Sequence, residues 1–353
     1  MSGLACSSVP GATDRTPATK DSEAIVRCYS GKGVGFEAQP LDRMSAKNAG
    51  MLALFSEAAY APHDAAISAA HMLGFKRAEL FSLAKLERAK TIEKRLELVV
   101  ADSQVLVAES DDVVVVSFRG SEPTVLTDWL TDLDFFREAM GPGGVQGRVH
   151  GGFYRAEAII HDQIMDWLKG VTGVKPMYVT GHSLGAALGT VFAARYMADY
   201  DRFVNRKQND IDFTDLWTMP YFQGMYNYGS PRVGDSNFVT IFEFLVNRAK
   251  IMPFETADGS MIKPAGYVAR FVADQDIVTR VPGSGEFKHI RNLKYLDSAG
   301  RLYEDARAEA IVNDSVWRLP VERLLDWGLD HMMGKTYQEQ VFRLTHSEPS
   351  GCP

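Results

Sequence analysis

Residues 181–185 read Gly-His-Ser-Leu-Gly, a setting in which a serine can become a nucleophile. A hydroxyl alone is a poor one. It needs a general base within hydrogen-bond reach, and the base needs an acid to fix its tautomer. The pentapeptide by itself is weak evidence, so its flanks decide what it means. Met177–Thr180 is a short apolar and β-branched run set off by Pro176, which reads as a strand. From Leu184 to Tyr196 leucine, alanine and other helix formers dominate. A serine between strand and helix is a nucleophile elbow. Its backbone is strained, its hydroxyl points away from the sheet, and strand and helix pass so closely that only glycine fits at 181 and 185. The helix start also offers free N–H groups and a positive dipole end to a developing oxyanion. The plain alternative is a glycine-rich turn carrying an idle serine.

In folds built on this elbow the chain order is serine, acid, histidine. His289, His331 and His346 follow a plausible acid. Asp274 and Asp276 lie just past the strand-like run Tyr267–Ala273, the end of a strand where α/β sites are built. Asp235 reads more as a helix cap. His289 falls in a strand-like stretch and suits a half-buried structural role, and His346 is close to a polar terminus. His331 sits at a break, Gly328 to His331, after a packed segment, from which it can reach over a sheet edge. The residues favour Ser183, Asp276 and His331, with Asp274 and His289 in reserve. One oxyanion donor should be the N–H of Leu184. For the second, Ser121 past the strand Val113–Phe118 competes with His150-Gly151-Gly152, which begins a helix and so aims its N–H groups badly; Ser121 is preferred. Losing one such donor costs about 3 kcal/mol in the transition state.

Several elements must carry these groups. Met51, Leu52, Leu54, Phe55 and Ala58 have helical spacing within Ala46–Ala59. His71–Arg95 has no clean period. Gln104–Ala108 and Val113–Phe118 flank a polar patch and predict a hairpin. Val113–Val116 is apolar on both faces, as a doubly covered central strand is. Residues 150–169 read as a helix stopped by Gly170, and Asp199–Pro220 as a surface excursion. Gly224–Tyr228 reads as a strand leading into a helix that ends near Ala249, and Phe287–Leu296 with Arg301–Tyr303 as a two-strand region. The alternation predicts an α/β fold, a mostly parallel sheet flanked by helices. Between Ser121 and the next strand, Val125, Leu126, Trp129, Leu130 and Leu133 are apolar; 126, 129, 130 and 133 make one helical face. That helix is either an ordinary packed one or a lid whose apolar face turns outward at a lipid surface.

The 353 residues divide into a peripheral arm over 1–45, a main domain over 46–345 and a polar tail over 346–353. A net charge of −7 argues against a nucleic-acid partner. No apolar run approaches the roughly 18 residues of a membrane-spanning helix. No cofactor or metal motif stands out. The N-terminal stretch has no apolar core of a secretory signal, which predicts a cytoplasmic or unconventionally exported protein, or a secreted one whose signal has been removed. Cys6, Cys28 and Cys352 lie near the ends and suggest free thiols or at most one terminal staple.

Taken in order, the motifs resemble those of the class 3 lipases, the filamentous-fungal type of triacylglycerol lipase. Phe118-Arg119-Gly120-Ser121 is similar to the family's oxyanion motif, and Trp129 with Asp132-Leu133 to its lid region. His150 to Phe153, Gly181 to Gly185, Pro231 to Asp235, Asp276-Ile277-Val278 and Asp330-His331 follow in family order, over about residues 46–340. The resemblance implies an α/β-hydrolase with a short lid helix, a triad of Ser183, Asp276 and His331, and an oxyanion hole from Ser121 and Leu184. It implies a lipid ester as substrate, met at a lipid–water interface. Phospholipases A1, mono- and diacylglycerol lipases and feruloyl esterases share the scaffold, and a non-catalytic lipid-binding module could keep it. Thr279 stands where the family often has proline, which predicts a looser acid-side loop.

Overall fold

The valine run Val113–Val116 sends alternate side chains into two separate cores. The computed structural model describes residues 24, 26–28, 35–40, 42–83, 103–120, 137–139, 145–210, 216–251, 254–255, 259–274, 276–282, 285–315 and 333–344. Val114, Val116 and Phe118 join one hydrophobic cluster, while Val113 and Val115 join the other, the two-residue period of a strand covered on both faces.

The expected hairpin forms. Strand β1 (Arg77–Ser82) pairs antiparallel with β2 (Gln104–Glu109), which pairs antiparallel with β3 (Val114–Phe118). A two-stranded ribbon, β4 (Arg137–Ala139) with β5 (Arg148–His150), stands apart from this sheet. Beyond β3 the sheet turns parallel through β6 (Pro176–His182) and β7 (Tyr221–Tyr228). A second small ribbon, β8 (Phe254–Glu255) with β9 (Met261–Ile262), precedes β10 (Tyr267–Ala273). Strand β10 lies parallel between β7 and β11 (Leu293–Leu296), and β12 (Leu302–Glu304) closes the edge antiparallel. The eight-stranded order is β1-β2-β3-β6-β7-β10-β11-β12.

Helices cover both faces. Helix α1 (Ala46–Ala58) lies flat on the sheet with Asn48 through Ala58 all buried, as suits a helix that is apolar nearly all round. Its N-cap is Ser45, whose hydroxyl accepts from the Asn48 N–H at 3.0 Å. Helix α2 (His63–Met72) follows on the same side. The opposite face carries α3 (Gly151–Lys169), α4 (Leu184–Asn209) and α5 (Ser236–Ile251). Late in the chain come α6 (Asp305–Ser315), one π-helical stretch at Met333–Gln338, and α7 (Glu339–Leu344), the last two packing against α1.

Helix α4 continues to Asn209 rather than giving way to a surface excursion at Asp199. Arg202 bonds back to Asp199, and Asn205 to Asp201 at 2.9 Å. Arg248 of α5 reaches across to Asp201 at 2.7 Å. Trp217 then stacks edge-on against Tyr196, Tyr200 and Phe203. Arg248 and Trp217 lie outside helix α4, so a local period does not reveal them. The segment before α1 is docked where it is described: Phe36 stacks on Tyr178 at 5.0 Å, and the Tyr226 hydroxyl donates to Gln39 at 2.6 Å. Cys28 is disulfide-bonded, its partner lying outside the described residues.

Candidate active site

Parallel register brings the site residues to one edge. Phe118 of β3 lies opposite Gly181 of β6, His182 opposite Tyr228 of β7, and Phe271 of β10 again opposite Tyr228. The chain segments leaving these strands, at 119–120, 183, 229, 274 and 276, therefore emerge side by side at the carboxyl ends of the strands, where open α/β sheets build their sites.

Ser183 takes φ 58° and ψ −130°, a conformation that costs an L-residue on the order of 1–3 kcal/mol. Packing holds it there. A Cβ on Gly181 would come within 2.6 Å of the Gly185 carbonyl group, and one on Gly185 would run into the Phe118 carbonyl oxygen. The Ser183 N–H donates to Tyr228 O at 2.9 Å, tying the turn to the neighbouring strand, and Ser183 O accepts from Ala186 N at 3.0 Å. The hydroxyl is fully buried and makes no hydrogen bond among the described residues. A buried hydroxyl without a partner is unfavourable by about 1–3 kcal/mol. Leu184 opens α4, so its N–H is one of the first-turn donors that have no acceptor within the helix. Gly120 sits against the same point: a Cβ there would lie 2.9 Å from Ser183 Cβ and 2.6 Å from His182 O.

Asp276 is 1% exposed, just past β10. One carboxylate oxygen accepts from the Val278 N–H at 2.9 Å, and the other from the Tyr337 hydroxyl at 2.5 Å. Tyr337 accepts in turn from Ala273 N at 3.1 Å. Burial, and then the charge of Asp276, push the Tyr337 phenol well above its ordinary pKa, so it stays protonated as a donor. Asp274 adopts φ 36° and is only partly buried, its N–H bonded to Leu296 O at 2.7 Å. Its charge, and a hydrogen bond, raise the pKa of the Tyr295 phenol, which burial pushes up to about 12. Asp274 therefore faces Tyr295 of β11.

His289 is not in a strand; β11 begins at Leu293. Its Nε2 lies 2.6 Å from Thr279 O, and since a carbonyl only accepts, Nε2 carries the proton. Burial first, then the Arg270 and Arg232 guanidiniums, hold its pKa well below 6.5. This is a neutral, half-buried histidine committed to a carbonyl, in keeping with the structural role expected of it. His150 precedes α3 as its N-cap residue, and its N–H is bonded to Val233 O at 2.9 Å.

His331, Ser121 and the apolar positions Val125, Leu126, Trp129, Leu130 and Leu133 lie outside the described residues, as do His346, Cys6 and Cys352. Three neighbours of the site, Tyr337, Tyr60 and His182, are given no role by the motifs. Besides Tyr337, the Tyr60 hydroxyl lies 2.8 Å from His182 Nδ1, and the His182 ring packs 5.7 Å from that of Tyr337. Tyr60 also abuts Gly120, where a Cβ would stand 2.5 Å from its hydroxyl. His182 could have been noticed as the variable residue inside the glycine frame. Tyr60 and Tyr337 come from the far ends of the domain, and no spacing links them to Ser183.

A strained serine between a parallel strand and a helix, with an acid past a later strand, defines an α/β-hydrolase. Residues 115–286 match the family model for lipase (class 3). Over 137 residues the chain is 31% identical to the secreted mono- and diacylglycerol lipase A of Penicillium cyclopium, a stretch covering 37% of each protein. It is 23% identical over 289 residues to a triacylglycerol lipase of Arabidopsis thaliana, covering 66% of this chain and 48% of that one. The chain thus spans just over a third to about half the length of these relatives. The crystal structure of a mono- and diacylglycerol lipase from Aspergillus oryzae superimposes with TM-score 0.54 at 18% identity, covering 85% of this chain and 99% of that one. A fungal lipase–inhibitor complex gives 0.51 at 18%, covering 84% and 97%. Residues 115–286 of the chain belong to the class 3 lipase family.

Proposed function

We propose that this protein is a serine carboxylic-ester hydrolase acting on acylglycerols, with Ser183 as nucleophile, His331 as general base and acid, and Asp276 as the group that orients and stabilises the imidazolium. One observation carries the reading: Ser183 is held at φ 58° with a buried hydroxyl that has no described partner, at the sheet edge shared with Asp276. Evolution has little reason to keep a strained backbone and an unsatisfied hydroxyl together unless the hydroxyl reacts.

In the proposed cycle His331 takes the Ser183 proton as the oxygen attacks the ester carbonyl carbon. The carbonyl oxygen becomes an oxyanion, held by the N–H of Leu184 and by Ser121. Collapse expels the alcohol, protonated by His331, and leaves the acyl group on Ser183. Water, deprotonated by His331, then releases the acid and restores the hydroxyl. Triacylglycerol is the first substrate reading. Mono- and diacylglycerols are the second, favoured by the Penicillium relative. The apolar segment Val125 to Leu133 is the proposed lid, and the proposed partner is a lipid surface.

Ser183→Ala should remove ester hydrolysis by at least about 10⁴-fold while leaving the circular-dichroism spectrum and melting transition intact. Wild-type protein should label stoichiometrically with a fluorophosphonate. A panel of tri-, di- and monoacylglycerols, phospholipids and feruloyl esters, each dissolved and aggregated, ranks the substrates. Turnover retained by the alanine variant would refute the assignment.

A further inference from the structure

Both carboxylate oxygens of Asp276 are bonded, but the backbone that carries the carboxylate has a lock of its own. The turn after β10 runs from Asp276 into a single 3₁₀ turn, Val278–Arg280. Thr279, 3% exposed, donates its hydroxyl back to Asp276 O at 2.7 Å. Its own carbonyl accepts from His289 Nε2 at 2.6 Å. Further along, Arg232 donates to the carbonyls of Arg280 and, at 2.7 Å, Pro282, and its N–H donates to Val281 O at 2.8 Å. The carbonyls of 279 through 282 are thus each held from outside the turn. The carbonyls of Ile277 and Val278 accept from the N–H groups of Arg280 and Val281 within the turn, and Asp276 O is held there by a side chain.

That placement matters because the Asp276 carbonyl and the Asp276 side chain leave the same Cα. Fixing the carbonyl fixes the peptide plane between Asp276 and Ile277, one link before the plane that carries the Val278 N–H meeting the carboxylate. The hydroxyl acts where a stiff residue would otherwise be needed, at the position where the family resemblance leads one to expect proline. His289 keeps Thr279 from rotating away. The histidine stays neutral because of its desolvation and then the charges of Arg270 and Arg232, so a single N–H, on Nε2, is fixed toward Thr279.

We propose that Thr279, buttressed by His289, is a positioning residue that sets the direction of the Asp276 carboxylate. The proposal rests on the serine-hydrolase reading and is tested apart from it. Thr279→Val keeps the shape and removes the hydroxyl. Its kcat on a soluble ester should fall about 10- to 100-fold with KM unchanged. The acid limb of its kcat/KM profile should move to lower pH, since a base deprived of its oriented carboxylate is less basic. Thr279→Ser, which restores the hydroxyl, should return both to near wild type. If the valine variant does not fold, Thr279→Ala is read in the same way, with the serine variant again as rescue. A hydroxyl-less variant with wild-type kcat and pH limb, or a serine variant no better than it, overturns the proposal, whatever the melting temperatures show. A wild-type protein that neither labels with fluorophosphonate nor hydrolyses esters overturns the hydrolase reading instead.

Discussion

Ser183 and Asp276 emerge at one edge of one sheet, yet they are aimed by different means. Ser183 is aimed by steric exclusion: two glycines let a strand and a helix close on each other, and the backbone between them has nowhere else to go. Asp276 is aimed by hydrogen bonds: Val278, Tyr337 and, through the backbone, Thr279 and His289 hold it from three separate parts of the chain. A steric device fails abruptly, because a methyl group either fits or does not. A hydrogen-bonded device fails by degrees, each bond contributing about 0.5–3 kcal/mol. The two halves of the site should therefore respond differently to mutation.

The largest expected effect is on the steric half. Gly185→Ala puts a methyl group into the Phe118 carbonyl, which no side-chain rotation relieves. Strand β3 and helix α4 must separate, at a cost of about 3 kcal/mol or more. Urea unfolding should show that loss, and fluorophosphonate labelling of Ser183 should disappear even in the folded fraction. Normal labelling in Gly185→Ala would mean that the close approach is not what sets the serine.

Tyr337→Phe should come next. It leaves one oxygen of a buried carboxylate without its donor and Ala273 N without its acceptor, so the protein should lose about 1.5–3 kcal/mol in chemical denaturation. Labelling of Ser183 should persist at a reduced rate, because the elbow does not depend on this bond. A variant as stable as wild type would remove Tyr337 from the device that holds Asp276.

The same contrast explains what the sequence made legible. The elbow is a local device, its glycines, strand and helix all lying within Pro176 to Tyr196, so residue types and spacing expose it. The valine run announced a strand covered on both faces, and strand–helix alternation announced the parallel sheet, since each depends on a period carried by neighbouring residues. Tyr60 and Tyr337 left no such trace. Each reaches the site by folding across the domain, and a tyrosine at a helix end looks the same whether or not its hydroxyl finds His182 or Asp276. Helix α4 beyond Tyr196 was hidden for a related reason: Trp217 and Arg248, which hold it, lie outside it. Thr279 is the sharpest instance. As a letter it suggested a looser loop, whereas its hydroxyl and carbonyl both turn out to be bonded.

The smallest expected effect lies in the acid dependence of stability, and it separates the two halves most cleanly. The folded pKa of His289 is depressed well below 6.5, by burial and by the Arg270 and Arg232 charges. Above about pH 6.5 the ring is neutral in both folded and unfolded chains, and its contribution is fully present. As pH falls below that value the unfolded chain takes up a proton that the folded one refuses, so stability declines by up to about 1.4 kcal/mol per pH unit from this group. Denaturation of wild type and His289→Gln at pH 7.0 and 5.5 isolates it: the difference in stability between them should shrink by about 1–2 kcal/mol on acidification. A difference that stays constant with pH would mean that His289 titrates in the folded protein as it does in the unfolded chain. Its Nε2 could still donate to Thr279, but the guanidiniums would then have to be neutralised from elsewhere, and the electrostatic reason for a single, fixed N–H would be gone.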